Sequence, residues 1–140
     1  MTGVQTCALP ILDEIANSRR LIPIIAHVHR YMGVYSKSDL KSLMSVDAVF
    51  QINAEAFEHF STRRFVNKLI SSGRDFVFGS DAHNLDDRKP NFDLIVKRSG
   101  SENIRRSDIV LMSAMADMST ISERLIFSLP DLLTIRSKLG

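Results

Sequence analysis

Cysteine is nearly absent: Cys7 is the only one in 140 residues. A single thiol excludes an internal disulfide and a cysteine-built zinc site, and it agrees with a reducing compartment. It also excludes thiol phosphate chemistry of the Cys-x5-Arg kind, because the position that would need arginine is Asp13. Neither acidic nor basic residues predominate. The net charge is +2, and basic residues never run beyond a pair (Arg19-Arg20, Arg63-Arg64, Arg105-Arg106). These pairs are read as solvated faces, and no nucleic-acid partner is expected. No apolar run reaches the roughly 20 residues a membrane-spanning helix needs. The start, Met1-Thr2-Gly3-Val4-Gln5, lacks the basic region of a secretory signal, so the expected location is the cytoplasm.

What remains is an ordinary globular composition, 44% apolar and 24% charged, at a length suited to one domain. Residues 1–10 carry no capping logic and are expected to be a non-native N-terminal segment. From Ile11 the pattern is regular. Ile11, Leu12, Ile15 and Ala16 share one helical face. The run Leu21 to Ala26 predicts a buried strand with Pro23 near its start. Ser36 or Ser38 can cap a helix to about Met44. Ala48 to Asn53 predicts a second strand, and Ser61 or Thr62 the cap of a helix ended by Gly73. Asp75 to Gly79 predicts a third strand. Helices are expected from Pro90 to about Lys97, from a Ser107 cap to about Met118, and again near Pro130. Alternating strands and helices predict an α/β fold with a parallel sheet. The βα units would span residues 11–98, and Ser99-Gly100-Ser101 would link them to a helical tail, 99–140.

In βα architectures ligands bind at the carboxyl ends of the strands. Three polar clusters fall there: Ala26-His27-Val28-His29-Arg30-Tyr31, Gln51-Ile52-Asn53-Ala54-Glu55, and Gly79-Ser80-Asp81-Ala82-His83-Asn84. Leaving a strand, residues i and i+2 point the same way, so Asp81 and His83 can face one point. A carboxylate with imidazoles suits a divalent ion such as Mn, Fe or Zn. The bland alternatives are a capped loop for Asp81-x-His83 and a satisfied core histidine for His27. Arg30 and Arg88 are candidate phosphate clamps, since a guanidinium binds phosphate in a fork and stays charged; each could equally form an ordinary salt bridge. His59 reads as a surface residue. Phe50, Phe57, Phe60, Phe76 and Phe78 read as core.

Pro23-Ile24-Ile25-Ala26-His27 with Arg30-Tyr31 resembles the "PIIAHPERY" segment of the capsule-type protein-tyrosine phosphatases of the PHP (polymerase and histidinol phosphatase) family. Gln51-Ile52-Asn53-Ala54 resembles the family's "QVNA" strand, and Ser80-Asp81-Ala82-His83-Asn84 with Arg88-x-Pro90 resembles "SDAHN…RPP". The resemblance covers about Ile11 to Val96. It implies a partial, distorted (β/α) barrel of the PHP type, of about three βα units. It implies a metal-dependent phosphatase, with Mn first and Fe or Zn as alternatives. By motif match His27, Asp81 and His83 would be metal ligands, and Arg30 and Arg88 would bind phosphate and take part in catalysis. The implied partner is a phosphotyrosine protein, a bacterial tyrosine kinase of capsule or exopolysaccharide synthesis. Two departures stand out. The family's N-terminal His-x-His and further upstream ligands are not present, so the chain is expected to be a C-terminal half, itself inactive. The family's Pro-Glu is Val28-His29 here, which removes a partner for Arg30; His29 is at most an extra ligand. A half barrel leaves strand edges unpaired, so self-association is expected. The alternatives are another PHP phosphatase, histidinol-phosphatase-like, or a non-catalytic remnant acting as an interaction module.

Overall fold

The computed structural model describes residues 8–18, 22–87, 89–117 and 126–127. Helix α1 (Ala8–Ser18) carries the expected apolar face, with Leu12 buried and Ile11 and Ile15 packed against the core. It takes in Ala8 to Pro10, part of the segment read as non-native; proline is tolerated in a first helical turn. Strand β1 (Ile24–Ile25) is shorter than the run Leu21 to Ala26. Helix α2 (Lys37–Ser45) starts on Ser36, whose Oγ accepts from the Asp39 N–H at 3.2 Å. Strand β2 (Val49–Asn53) follows. Helix α3 (Phe60–Ser71) ends before Gly73, where φ is +78°, a conformation that favours glycine. Strand β3 (Phe76–Gly79), α4 (Phe92–Ser99), α5 (Ser101–Asp117) and β4 (Ile126–Phe127) complete the order.

The strands form one parallel sheet in the order β3-β2-β1-β4. Among the described residues this sheet is small and open, with helices around it. Side chains alternate across it. Ile25, Phe50, Ile52 and Phe76 point into the core, where they meet Leu43, Phe57, Val66, Leu69 and Ile95. Ile24, Val49, Gln51 and Val77 face the other way and line a cleft.

Four expectations need correction. Phe60 is not core: it opens α3, is 69% exposed, and lies under the Arg63 guanidinium at 5.9 Å. Neither Ser61 nor Thr62 caps α3; the cap residue is His59, and the Thr62 hydroxyl donates to the Ala56 carbonyl at 2.8 Å. Ser107 does not start a helix. The break comes at Gly100, with φ +83°, and Ser107 lies inside α5. Nor is Arg106 a solvated charge: it donates to the Ile70 carbonyl and stacks over Phe76 at 5.0 Å.

Those last two residues dock α5 on the outer edge of β3. An edge strand presents unpaired N–H groups. The buried Ser107 Oγ accepts one of them, the Phe78 N–H, at 2.9 Å. The expected helical tail is thus helical over Ser101–Asp117 and packs on the sheet, and β4 adds a short strand within 99–140. The expected last helix near Pro130 lies outside the described residues.

Ser107→Ala leaves the Phe78 N–H without an acceptor and is expected to lower unfolding free energy by about 1–3 kcal/mol. Urea unfolding checks this; an unchanged midpoint would remove Ser107 from the edge.

Candidate functional site

Three strand ends come together at one end of the sheet. At the end of β1, His27 adopts left-handed backbone angles (φ 36°, ψ 52°) before the short 3-10 helix Val28–Gly33. Beyond β3, Asp81 does the same (φ 54°). Positive φ is uncommon outside glycine, though Asp and His tolerate it better than most. Here it falls on two of the three candidate donors, and such strain gathers at functional sites. Between them, midway along β2, Gln51 Oε1 accepts the His27 N–H at 2.6 Å. Its Nε2 donates to Asn53 Oδ1. The Gln51 amide lies where a side chain at residue 79 would be, so a larger residue there would have to displace it.

One guanidinium ties the three ends. Arg30 donates from Nε to Glu55 Oε1 at 2.7 Å and from Nη2 to Asp81 Oδ2 at 2.7 Å. His29, 5% exposed, places its Nε2 at 3.0 Å from the same Glu55 oxygen. The Arg30 bond, helped by His29, holds the Glu55 carboxyl down at about 2. Glu55 in turn raises Arg30. Burial lowers both His27 and His29, more than their neighbouring carboxylates raise them. A carboxylate only accepts, so neutral His29 carries its proton on Nε2. Its Nδ1, and that of His27, are buried with no hydrogen-bond partner among the described residues.

His27 and Asp81 border one cleft of about 390 Å³, floored by Ile24, Val49, Gln51 and Val77 and walled by α5. Arg30 borders another, of about 510 Å³, with His29, Glu55 and the first turn of α3. His83 is not in the first cleft. Its side chain is 56% exposed, with Nδ1 2.7 Å from its neighbour's backbone, the Asp81 carbonyl, and 4.0 Å from Asp81 Oδ1. Arg88 lies outside the described residues. His59 is exposed, as expected. His29 faces Glu55, and the partner that Arg30 lost at position 29 is supplied from β2's end. In the sequence Glu55 is marked only by its place in a polar cluster. Its separation of 25 residues from Arg30 has no local periodicity to announce it.

The unpartnered His27 Nδ1 and the Asp81 carboxylate suit a divalent ion. The third candidate does not join them: no group of three His, Cys, Asp or Glu side chains able to hold a metal exists among the described residues. As placed, Arg30 also occupies one Asp81 oxygen.

Two consequences can be measured. Gly79→Ala forces the Gln51 amide to move, with an expected cost of about 1–3 kcal/mol, and the His27 amide should exchange its hydrogen faster; unchanged exchange would refute the Gln51 clamp. Glu55 has a depressed folded-state pKa, so its stabilisation is full above its ordinary value of 4.5 and is lost as pH falls toward about 2. The urea midpoint should fall across that window, and the fall should be shallower in Glu55→Gln.

No curated protein and no solved structure matches the chain. Among the described residues no helix is long and apolar enough to cross a membrane. Residues 12–116 match the family described as "Capsular polysaccharide synthesis, CpsB/CapC". That match takes in all three strand ends and well over half of the sequence, and the chain belongs to this capsular polysaccharide synthesis family.

Proposed function

We propose that the chain is the phosphate-handling part of a metal-dependent phosphoric monoester hydrolase, a protein-tyrosine phosphatase. Its substrate would be a phosphotyrosine protein, the tyrosine kinase of capsule or exopolysaccharide synthesis, in the cytoplasm. The sheet would then be part of a distorted (β/α) barrel of the PHP type. The observation that carries this reading is the meeting of His27, Arg30 and Asp81 at one end of a parallel sheet, in a chain of the capsular polysaccharide synthesis family.

The residues have separate tasks in this reading. Arg30, with Arg88, binds the phosphate oxygens and takes up charge as the transition state forms. His27, Asp81 and His83 are the proposed donors to a divalent ion, Mn by preference with Fe or Zn as alternatives. His83 would have to turn from its present contact to join the other two, and further donors must come from beyond the described residues. A bound divalent ion would supply the Lewis acidity of the reaction. The shortage of grouped donors among the described residues favours a second reading, in which the chain is a non-catalytic interaction module.

Hydrolysis of p-nitrophenyl phosphate with manganese separates the two. The chain alone should stay near background. Joined to a family-type N-terminal half, it should turn over. In that protein Asp81→Ala should abolish turnover and metal binding. Arg30→Ala or Arg88→Ala should lower it by roughly 10²–10³-fold, as for loss of one oxyanion donor, with metal content intact. Chelation should stop the reaction, and alkylation of Cys7 should not. A joined protein that binds manganese and never turns over leaves the module reading standing.

A further inference from the structure

We infer that Glu55 is the positioning residue that sets where the Arg30 guanidinium sits, and so which of its N–H groups face the phosphate. This rests on the phosphate reading of Arg30 proposed above.

The two carboxylates on Arg30 are held in different ways. Glu55 follows directly from β2, in the short 3-10 helix Ala54–Phe57, between the buried Ala54 and Ala56. The buried His29 ring donates to the same oxygen that Arg30 Nε contacts. That oxygen therefore cannot swing out without stripping a buried imidazole N–H of its acceptor, which is costly. Asp81, beyond β3, is itself a proposed ion ligand, so in that reading its bond to Nη2 is the one an ion would exchange.

The consequence is geometric. Glu55 takes the Nε side of the guanidinium. The Nη1 and Nη2 end, whose Nη2 now bonds Asp81, is the pair that would bind phosphate as a fork once Asp81 exchanges. Without Glu55 the side chain keeps its charge and loses the anchor on its Nε side, so once Asp81 exchanges, a flexible arginine must be ordered by the ligand itself.

The test follows the Arg30 Nε–H signal by ¹H–¹⁵N NMR on the whole chain, with inorganic phosphate titrated in and Mg²⁺ as a diamagnetic divalent ion. In the unmodified chain the signal should be sharp, slow to exchange, and displaced by phosphate. Glu55→Ala should broaden it or lose it and weaken phosphate binding about tenfold. Glu55→Asp, with the charge kept and the reach shortened, should restore part of both. If Glu55→Ala does not fold, Glu55→Gln serves in its place, with a smaller loss in the same direction. A Glu55 variant that keeps a sharp Nε–H signal and the phosphate affinity of the unmodified chain overturns the inference. A signal in the unmodified chain that phosphate never moves overturns the phosphate reading of Arg30 and the functional half of this inference. The anchoring half is decided by the Glu55 variants alone.

Discussion

The Arg30 guanidinium is the interaction on which the site depends. It starts beyond β1 and reaches carboxylates beyond β2 and β3, at 2.7 Å each. Three short parallel strands fix their own spacing through backbone hydrogen bonds, but those bonds stop where the strands stop. Past that point the loops need side chains to set them. A planar, always-charged fork with several donors can hold two carboxylates at once, where a lysine ammonium would hold them without fixed direction. The pairs are about 39% exposed on the Arg30 and Glu55 side, so their worth lies in geometry more than in stability.

The fold beneath was legible to a useful degree. Apolar runs and turn residues located three strands and most helices, because parallel strands buried on both faces read as continuous hydrophobic runs. Errors came where a residue serves a distant partner. Ser107 looks like a cap because serine usually is one; nothing local reveals that it meets Phe78 across 29 residues. Phe60 looks like core because phenylalanine usually is, yet its place at the first turn of α3 turns it outward. Strand ends located the three clusters of the site, and Gln51 and Glu55 were within them. Their roles were illegible, since each depends on contacts 24 to 26 residues apart.

The two faces of the sheet differ in kind. One is a closed apolar core around Phe50 and Phe76. The other carries Gln51 and Asn53 among valines, with Gly79 kept small so that the Gln51 amide can lie across it. A buried polar group is costly unless bonded, and Gln51 satisfies both ends of its amide through His27 and Asn53. It thereby converts strand register into the position of the His27 backbone. The cleft is shaped by hydrogen bonds that packing on the opposite face holds in place.

Charge count sets a condition on the proposed chemistry. Among the described residues the bridged cluster holds one cation, Arg30, against two carboxylates, Glu55 and Asp81. His27 and His29 add no charge near neutrality, since burial lowers both below their ordinary value. These described side chains are together one unit negative, and by themselves they would repel a phosphate dianion. Electrostatic stabilisation of phosphoryl transfer needs positive charge around the transferring group. In the proposed reading that charge would come from Arg88 and from a divalent ion on Asp81. An ion on Asp81 would compete with Nη2 for the carboxylate, and the guanidinium end so released would turn to the phosphate. Glu55 would meanwhile keep its hold on Nε, so the arginine gains a free fork without losing its place. An ion and an arginine at such a site would then act together, because the same carboxylate restrains one until it receives the other.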